Sequence, residues 1–221
     1  TRGVKTVFVP TENASEAAVV HDITIIPIPS LAALVAHLQG AMTIAPQPPT
    51  DLSMIREHAS QPLLDMSDIR GQEGAKRVLE IAAAGGHILL LCGPPSTGKT
   101  MLARALPGIL PPMDLEEALE VTRIWSVSGL LPPSMPILWQ RPFRTPHHTA
   151  SAISLVGGGS SLRPGEVSLA HRGVLFADEF PEFPRSVIEN LRQPIEDGII
   201  TISRATGTVR FPARSMLIAA M

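Results

Sequence analysis

Apolar residues fall along the chain in short runs, separated by polar stretches, glycines and prolines. This is the pattern of strands alternating with amphipathic helices. Residues 4–9 read as a strand ended by Pro10, and residues 23–28 as a second strand. Between them Thr11 caps a helix reaching residue 20, with Glu12 in its first turn. Ser30 caps another helix over 31–38, stopped by Gly40. Two strands and two helices bury too little to stand alone, so residues 1–40 read as the end of a domain. Residues 41–67 carry Pro46, Pro48, Pro49 and Pro62 among polar positions, which is linker composition with one short helix around 52–58. From residue 68 the pattern changes. A helix over 73–84 is ended by Gly85-Gly86, and the apolar run 87–92 follows as a strand. Helices are expected over 99–106 and 114–122, and the proline-rich stretch 129–147 as loop. Residues 174–177 show no alternation and read as a strand buried on both faces. A helix over 184–195 contains Pro194, which must distort its last turn. Residues 199–203 and 208–211 pair as a hairpin around Ala205-Thr206-Gly207, and 215–220 begins another buried strand.

Two short segments add chemistry to this α/β pattern. Gly93-Pro94-Pro95-Ser96-Thr97-Gly98-Lys99-Thr100 matches a phosphate loop, and it lies between an apolar strand and a helix that begins near Lys99. That context gathers backbone N–H groups and a helix N-terminus around one point, where a triphosphate is held. Residues Gly93, Pro94, Pro95, Ser96, Thr97, Gly98, Lys99, Thr100 and Met101 are therefore the expected nucleotide cradle. Lys99 reaches the β- and γ-phosphates, and the Thr100 hydroxyl ligates Mg²⁺. The second segment, Gly173-Val174-Leu175-Phe176-Ala177-Asp178-Glu179, is an apolar strand ending in two carboxylates. Asp178 suits the Mg²⁺ shell, and Glu179 suits general-base activation of the attacking water.

Composition bounds the alternatives. The 221 residues are 44% hydrophobic and 17% charged, with a net charge of −2, so no global basic field argues for nucleic acid. A ring can still concentrate basic residues in a pore. Cys92 is the single cysteine, which excludes a disulfide framework and a cysteine-built zinc site and fits a reducing cytoplasm. No apolar run is long enough to span a membrane and no signal peptide is visible, so no membrane partner is expected. Adjacent His147 and His148, if on a strand, point to opposite faces, which favours a structural or ring-contact role over a shared metal ion. Gly157-Gly158-Gly159-Ser160-Ser161 reads as a flexible loop, because it lacks a lysine and a preceding strand. Arg163, His171, Arg172 and Arg204 either face a pore or are solvated. Ser126 and Ser128 have no base partner in the local pattern.

Several stretches carry a more specific signal. They are Asp68-Ile69-Arg70-Gly71-Gln72-Glu73, the phosphate loop, Arg141-Pro142-Phe143-Arg144-Thr145-Pro146-His147-His148-Thr149 and Arg163-Pro164-Gly165-Glu166. To these add the segment from Leu169 through Asp178-Glu179, Leu191-Arg192-Gln193-Pro194-Ile195-Glu196-Asp197-Gly198 and Pro212-Ala213-Arg214. Together they resemble the magnesium-chelatase-like AAA+ ATPases of the ComM/YifB family, over essentially the whole chain. The resemblance implies a P-loop AAA+ three-layer α/β/α module over 68–221, stopping before sensor 1 and the helical lid. It implies a linker over 41–67, and over 1–40 the C-terminal part of a Lon-protease-like α/β domain. It further implies ATP and Mg²⁺ as cofactors, a homo-hexameric ring in the cytoplasm, and branched or single-stranded DNA as partner, remodelled by branch migration. The roles carried over match those read above: Lys99 and Glu179 in catalysis, with Thr100 and Asp178 on the metal. Segment 157–170 and the hairpin 199–211 correspond to insertions facing the ring interior. Ser96 stands where the family has glycine, and Ala152 where many members have aspartate. With the arginine finger and lid outside residues 1–221, this stretch by itself is expected to bind ATP–Mg²⁺ with little turnover. A chelatase-type motor subunit and a non-catalytic remnant of a truncated gene are the alternative readings.

Overall fold

The computed structural model describes residues 3–52, 64–132, 135–159, 162–204 and 207–221. They fall into two compact units, one of residues 1–59 with 131–138 and one of residues 60–130 with 139–221.

In the first unit, β1 (Thr6–Pro10) pairs in parallel with β2 (Thr24–Ile28), with Val7 opposite Ile25. The segment joining them is a 3₁₀ turn, Thr11–Asn13, followed by the one-turn helix α1 (Ala14–Ala17). Thr11 therefore does not cap a helix running to residue 20, and no side chain caps either element. Helix α2 (Leu31–Leu38) matches expectation: Ser30 Oγ accepts from the Ala33 N–H at 3.2 Å, and Gly40 adopts φ 75°. Ala14, Ala18 and Ile25 form a small buried cluster. The proline-rich stretch is anchored, since Ile44 N–H donates to His37 Nδ1, Gln47 N–H to Ile25 O and Thr50 N–H to Ala18 O. Beyond Leu52, the helix expected over 52–58 lies outside the described residues.

The second unit is built on a four-stranded parallel sheet of order β3-β10-β7-β4, comprising β3 (Leu89–Leu91), β4 (Phe143–Arg144), β7 (Val174–Ala177) and β10 (Met216–Ala220). Every residue of β7 and β10 is buried, as the unbroken apolar runs predict. The pleat sends alternate residues to opposite faces. Val174, Phe176, Met216, Ile218 and Ala220 pack against α3 (Glu73–Gly85) and α4 (Lys99–Ile109) through Leu79, Ala83, Leu102 and Leu106. Leu175, Ala177 and Leu217 pack on the other face against Val187 and Leu191 of α8 (Arg185–Asp197). Ile200, Ile202 and Phe211 of the antiparallel hairpin β8 (Ile199–Arg204)–β9 (Gly207–Pro212) join that face. This is a three-layer α/β/α arrangement. Pro194 sits inside α8 without ending it, and the helix closes at Asp197 on Gly198 with φ 66°.

The remaining elements lie between α4 and β7, and one of them, β4, falls in the stretch expected to be loop. Helix α5 (Leu115–Val127) is capped by Asp114, whose Oδ1 accepts from the Glu117 N–H at 2.8 Å, and it runs a turn beyond expectation. Within the proline-rich stretch, Phe143 and Arg144 form β4 and pair with Val174 and Leu175. A two-residue strand within the three residues between Pro142 and Pro146 is too short for any periodicity to announce it. Helix α6 (Ala152–Val156) is capped by Ser151. It leads into β5 (Gly157–Gly158), paired antiparallel with β6 (Arg163–Pro164), and then α7 (Glu166–Leu169). Gly157 and Gly158 are therefore part of a ladder, which corrects the reading of a flexible loop over that pair. Gly157 has φ 100°, and a Cβ there would meet Arg163 O at 2.7 Å. Ser160, Ser161, Ala205, Thr206 and the Arg204 side chain lie outside the described parts.

Candidate functional site

Parallel strands end on the same edge of a sheet, and the register places Leu91, Ala177 and Ala220 at that edge together. The loop 93–98 leaves β3 and crosses the end of β10, where Gly93 N–H donates to Met221 O at 3.1 Å. That crossing carries α4 over to β7, two strands away from β3. Thr100 in the first turn of α4 thereby meets Asp178, which follows β7, with its Oγ1 donating to Asp178 Oδ2 at 2.9 Å. Residues 78 positions apart in the chain meet through this strand order.

The loop is shaped by two left-handed residues, Ser96 at φ 64° and Gly98 at φ 87°. The position where serine replaces glycine does demand positive φ, a conformation costing an L-residue about 1–2 kcal/mol. Lys99 Nζ folds back on the loop, donating to Gly93 O at 2.6 Å and Pro94 O at 2.9 Å. Thr97 Oγ1 donates to Pro94 O at 2.9 Å. From outside the loop, Gln72 Nε2 donates to Thr97 O at 3.2 Å. Gln72 sits at φ 59° just before α3, with no hydrogen bond capping that helix, so its side chain is free to brace the loop. In the sequence Gln72 stands out only as part of the Asp68-Ile69-Arg70-Gly71-Gln72-Glu73 stretch that carries the family resemblance. Its left-handed neighbour Gly71 (φ 68°) was the available signal of a special turn there.

Glu179 follows Asp178 in the left-handed region, φ 52°, and its N–H donates to Asp178 Oδ1 at 3.1 Å. Its carboxylate meets His148 Nδ1 at 3.0 Å. The expectation that His147 and His148 point to opposite faces is not met. They lie beyond the end of β4, and their rings lie against each other with centroids 4.1 Å apart. Among the described residues no group of three or more His, Cys, Asp or Glu side chains is arranged to hold a metal ion.

His171 is neither pore-facing nor solvated: it is 1% exposed. Its Nδ1 accepts from the Arg214 N–H at 3.1 Å, so Nε2 carries the proton that meets Glu120 Oε2 at 3.0 Å. Burial pushes the His171 imidazole below its ordinary value of 6.5, aided by Arg172 and Arg214 and opposed by Glu120. Glu120 loses hydration, yet the hydrogen bonds from His171 and Arg172 outweigh that and hold its carboxyl below the ordinary range. Arg172 is likewise paired, with Glu117 at 3.1 Å and Glu120 at 3.0 Å, while Arg163 is exposed. Arg144 grips Glu166 through two hydrogen bonds of 2.6 and 2.7 Å and lies 5.6 Å over the Trp125 ring.

The chain is similar to known proteins on three counts. The family described as magnesium chelatase, subunit ChlI, matches residues 65–221. A YifB protein of Salmonella typhimurium is 47% identical over 221 residues, which is all of this chain and 42% of that protein. Competence protein ComM of Haemophilus influenzae is 48% identical over 216 residues, 95% of this chain and 41% of its own length. The chain thus spans about two fifths of the length of these two relatives. In fold it resembles a chain of the complex between magnesium-chelatase subunits BchI and BchD, known from single-particle cryo-EM, with TM-score 0.55 at 23% identity, covering 72% of this chain and 55% of that one. No helix among the described residues is long and apolar enough to cross a membrane. A family match over most of the chain, on a three-layer sheet that carries a phosphate-loop sequence at its carboxyl edge, makes this chain a member of the magnesium-chelatase-like AAA+ ATPases of the ComM/YifB family.

Proposed function

We propose that the protein containing this chain binds Mg²⁺–ATP at residues 93–101 and Asp178, and uses its hydrolysis to remodel DNA as a homo-hexameric ring. The observation that carries the nucleotide reading is the Thr100–Asp178 contact of 2.9 Å beside the Lys99 loop. The residues fit the group. A hydroxyl and a carboxylate are the hard oxygen donors Mg²⁺ takes, so Thr100 and Asp178 would hold it. Left-handed backbone at Ser96 and Gly98 builds the kind of N–H concavity that holds anions. In this reading Lys99 exchanges the carbonyls of Gly93 and Pro94 for phosphate oxygens. Thr100 and Asp178 would hold the ion, and Glu179 would accept the proton of the attacking water. Mg²⁺ bound there would supply charge neutralisation on the phosphates.

The DNA reading is supported by the similarity to a competence protein over 95% of the chain and by the family resemblance, which implies branch migration. A second reading, a motor subunit serving magnesium insertion, is favoured by 28% identity over 183 residues to the 67 kDa magnesium-chelatase subunit of Heliobacterium mobile. Calorimetric titration of the full-length protein with Mg²⁺–ATP tests the nucleotide site. Binding is expected, and Lys99→Ala should weaken it at least about tenfold, roughly 1.4 kcal/mol. No heat from the unmodified protein defeats the reading. Stimulation of ATP turnover by branched DNA separates the two functions, since a chelatase motor has no reason to respond.

A further inference from the structure

Helix α3 is entered through two consecutive residues in the left-handed region, Gly71 at φ 68° and Gln72 at φ 59°. Glutamine takes up that conformation against a steric penalty, and such a penalty persists only where the surroundings hold it. The backbone of Gln72 is held by the helix it starts. Its O accepts from the Lys76 N–H at 2.9 Å, and Leu79, Ala82 and Ala83 of the same helix lie in the core. The side chain stands where a helix is usually capped, yet it caps nothing. It crosses instead to the phosphate loop, with Nε2 donating to Thr97 O at 3.2 Å. Among the described residues this is the one hydrogen bond that ties residues 94–98 to an element other than α4.

Its effect lies on the far side of the peptide. The 97–98 peptide is planar and trans, so its carbonyl and its N–H point in opposite directions. Fixing Thr97 O toward Gln72 therefore fixes the Gly98 N–H away from it. That N–H has no acceptor among the described residues, and it belongs to the left-handed turn that suits an anion. Without the bond, little holds the plane. A glycine crosses between positive and negative φ at no steric cost. A Cβ at Gly98 would meet nothing within 4 Å, so no neighbour presses on the residue. A flipped plane would present a carbonyl oxygen, rather than a donor, to an incoming phosphate.

We propose that Gln72 is a positioning residue for the phosphate loop. It locks the 97–98 peptide so that the Gly98 N–H is aimed as a donor to a nucleotide phosphate before the nucleotide arrives. The gain is preorganisation, because a donor already in place need not be ordered on binding. The proposal rests on the nucleotide reading above and extends it to a residue outside the phosphate-loop motif.

The test uses the full-length protein with Gln72→Met, which keeps the length but cannot donate, and Gln72→Gly, which removes both the donor and the left-handed strain. Calorimetry should show Mg²⁺–ATP and Mg²⁺–ADP bound about three- to tenfold more weakly by Gln72→Met. The two nucleotides should lose equally, because the backbone amides of such a loop cradle phosphates that both carry. Gln72→Gly should lose as much, although its backbone is relieved. In Gln72→Met, kcat at saturating ATP should change less than about twofold. Its urea midpoint should stay in place, since water replaces an exposed hydrogen bond. A midpoint lowered in step with the affinity would make Gln72 merely structural and overturn the proposal. So would a loss confined to ATP, or a Gln72→Gly variant that binds like the unmodified protein. An unmodified protein that binds neither nucleotide sinks the nucleotide reading and this role together. Binding left intact by Gln72→Met sinks the role alone.

Discussion

Replacing His171 by leucine isolates what the buried imidazole does at the base of β7. Leucine fills nearly the same volume, so the cavity contribution is small. The Arg214 N–H loses its acceptor, and an unsatisfied N–H shielded from water costs about 1–3 kcal/mol. Glu120 suffers less. Its side chain is 41% exposed, so water replaces the imidazole, and Arg172 Nε remains at 3.0 Å. The expected loss is therefore about 2 kcal/mol, read as a lower urea midpoint at pH 7.5 with an unchanged slope. The pH dependence carries a second signature. The folded state keeps His171 neutral below its ordinary value of 6.5, whereas the unfolded chain binds the proton near that value. Stability is thus fully present above about pH 6.5 and declines as pH falls through the interval down to the depressed folded value. Glu120, also depressed, acts with the same sign further down, below its ordinary 4.5. Unfolding curves between pH 5 and 7.5 should show this decline in the unmodified protein and a flatter profile in His171→Leu. A variant within about 0.5 kcal/mol of the original, with an identical pH slope, would refute the assignment of His171 as a buried structural imidazole.

Two further substitutions probe the backbone around the site. Gly173→Ala should destabilise by about 1–3 kcal/mol in urea unfolding, because the new Cβ overlaps the backbone of Pro142, which the β4–β7 pairing prevents from moving; a neutral result would mean that β4 yields freely. Ser96→Gly removes a left-handed penalty of about 1–2 kcal/mol but adds about 0.5–1 kcal/mol of chain entropy. Both act on the stability of the folded loop, which already holds φ 64°, so urea unfolding should show Ser96→Gly more stable by up to about 1.5 kcal/mol, whereas Ser96→Val should be less stable, and the reverse order would contradict the loop geometry.

Local grammar made much of this protein legible. The runs over 174–177 and 216–220 are apolar without alternation because both faces of those strands are covered, and Ser30 and Asp114 announce their helices through the hydrogen bonds they accept. The positive φ at Ser96 falls at the position where the family resemblance implies glycine. Other features follow from strand order, which no short segment encodes. The placing of β10 between β3 and β7 brings Thr100 to Asp178, and the pairing of the two-residue β4 with β7 brings His148 to Glu179. His171 looks like any basic surface residue in the sequence; only the packing of α5 and the Arg214 backbone around it makes it a core group. Residue types and their spacing thus determined the elements and the chemistry available. Long-range pairing, driven by burial of two sheet faces at once, decided which of those groups meet.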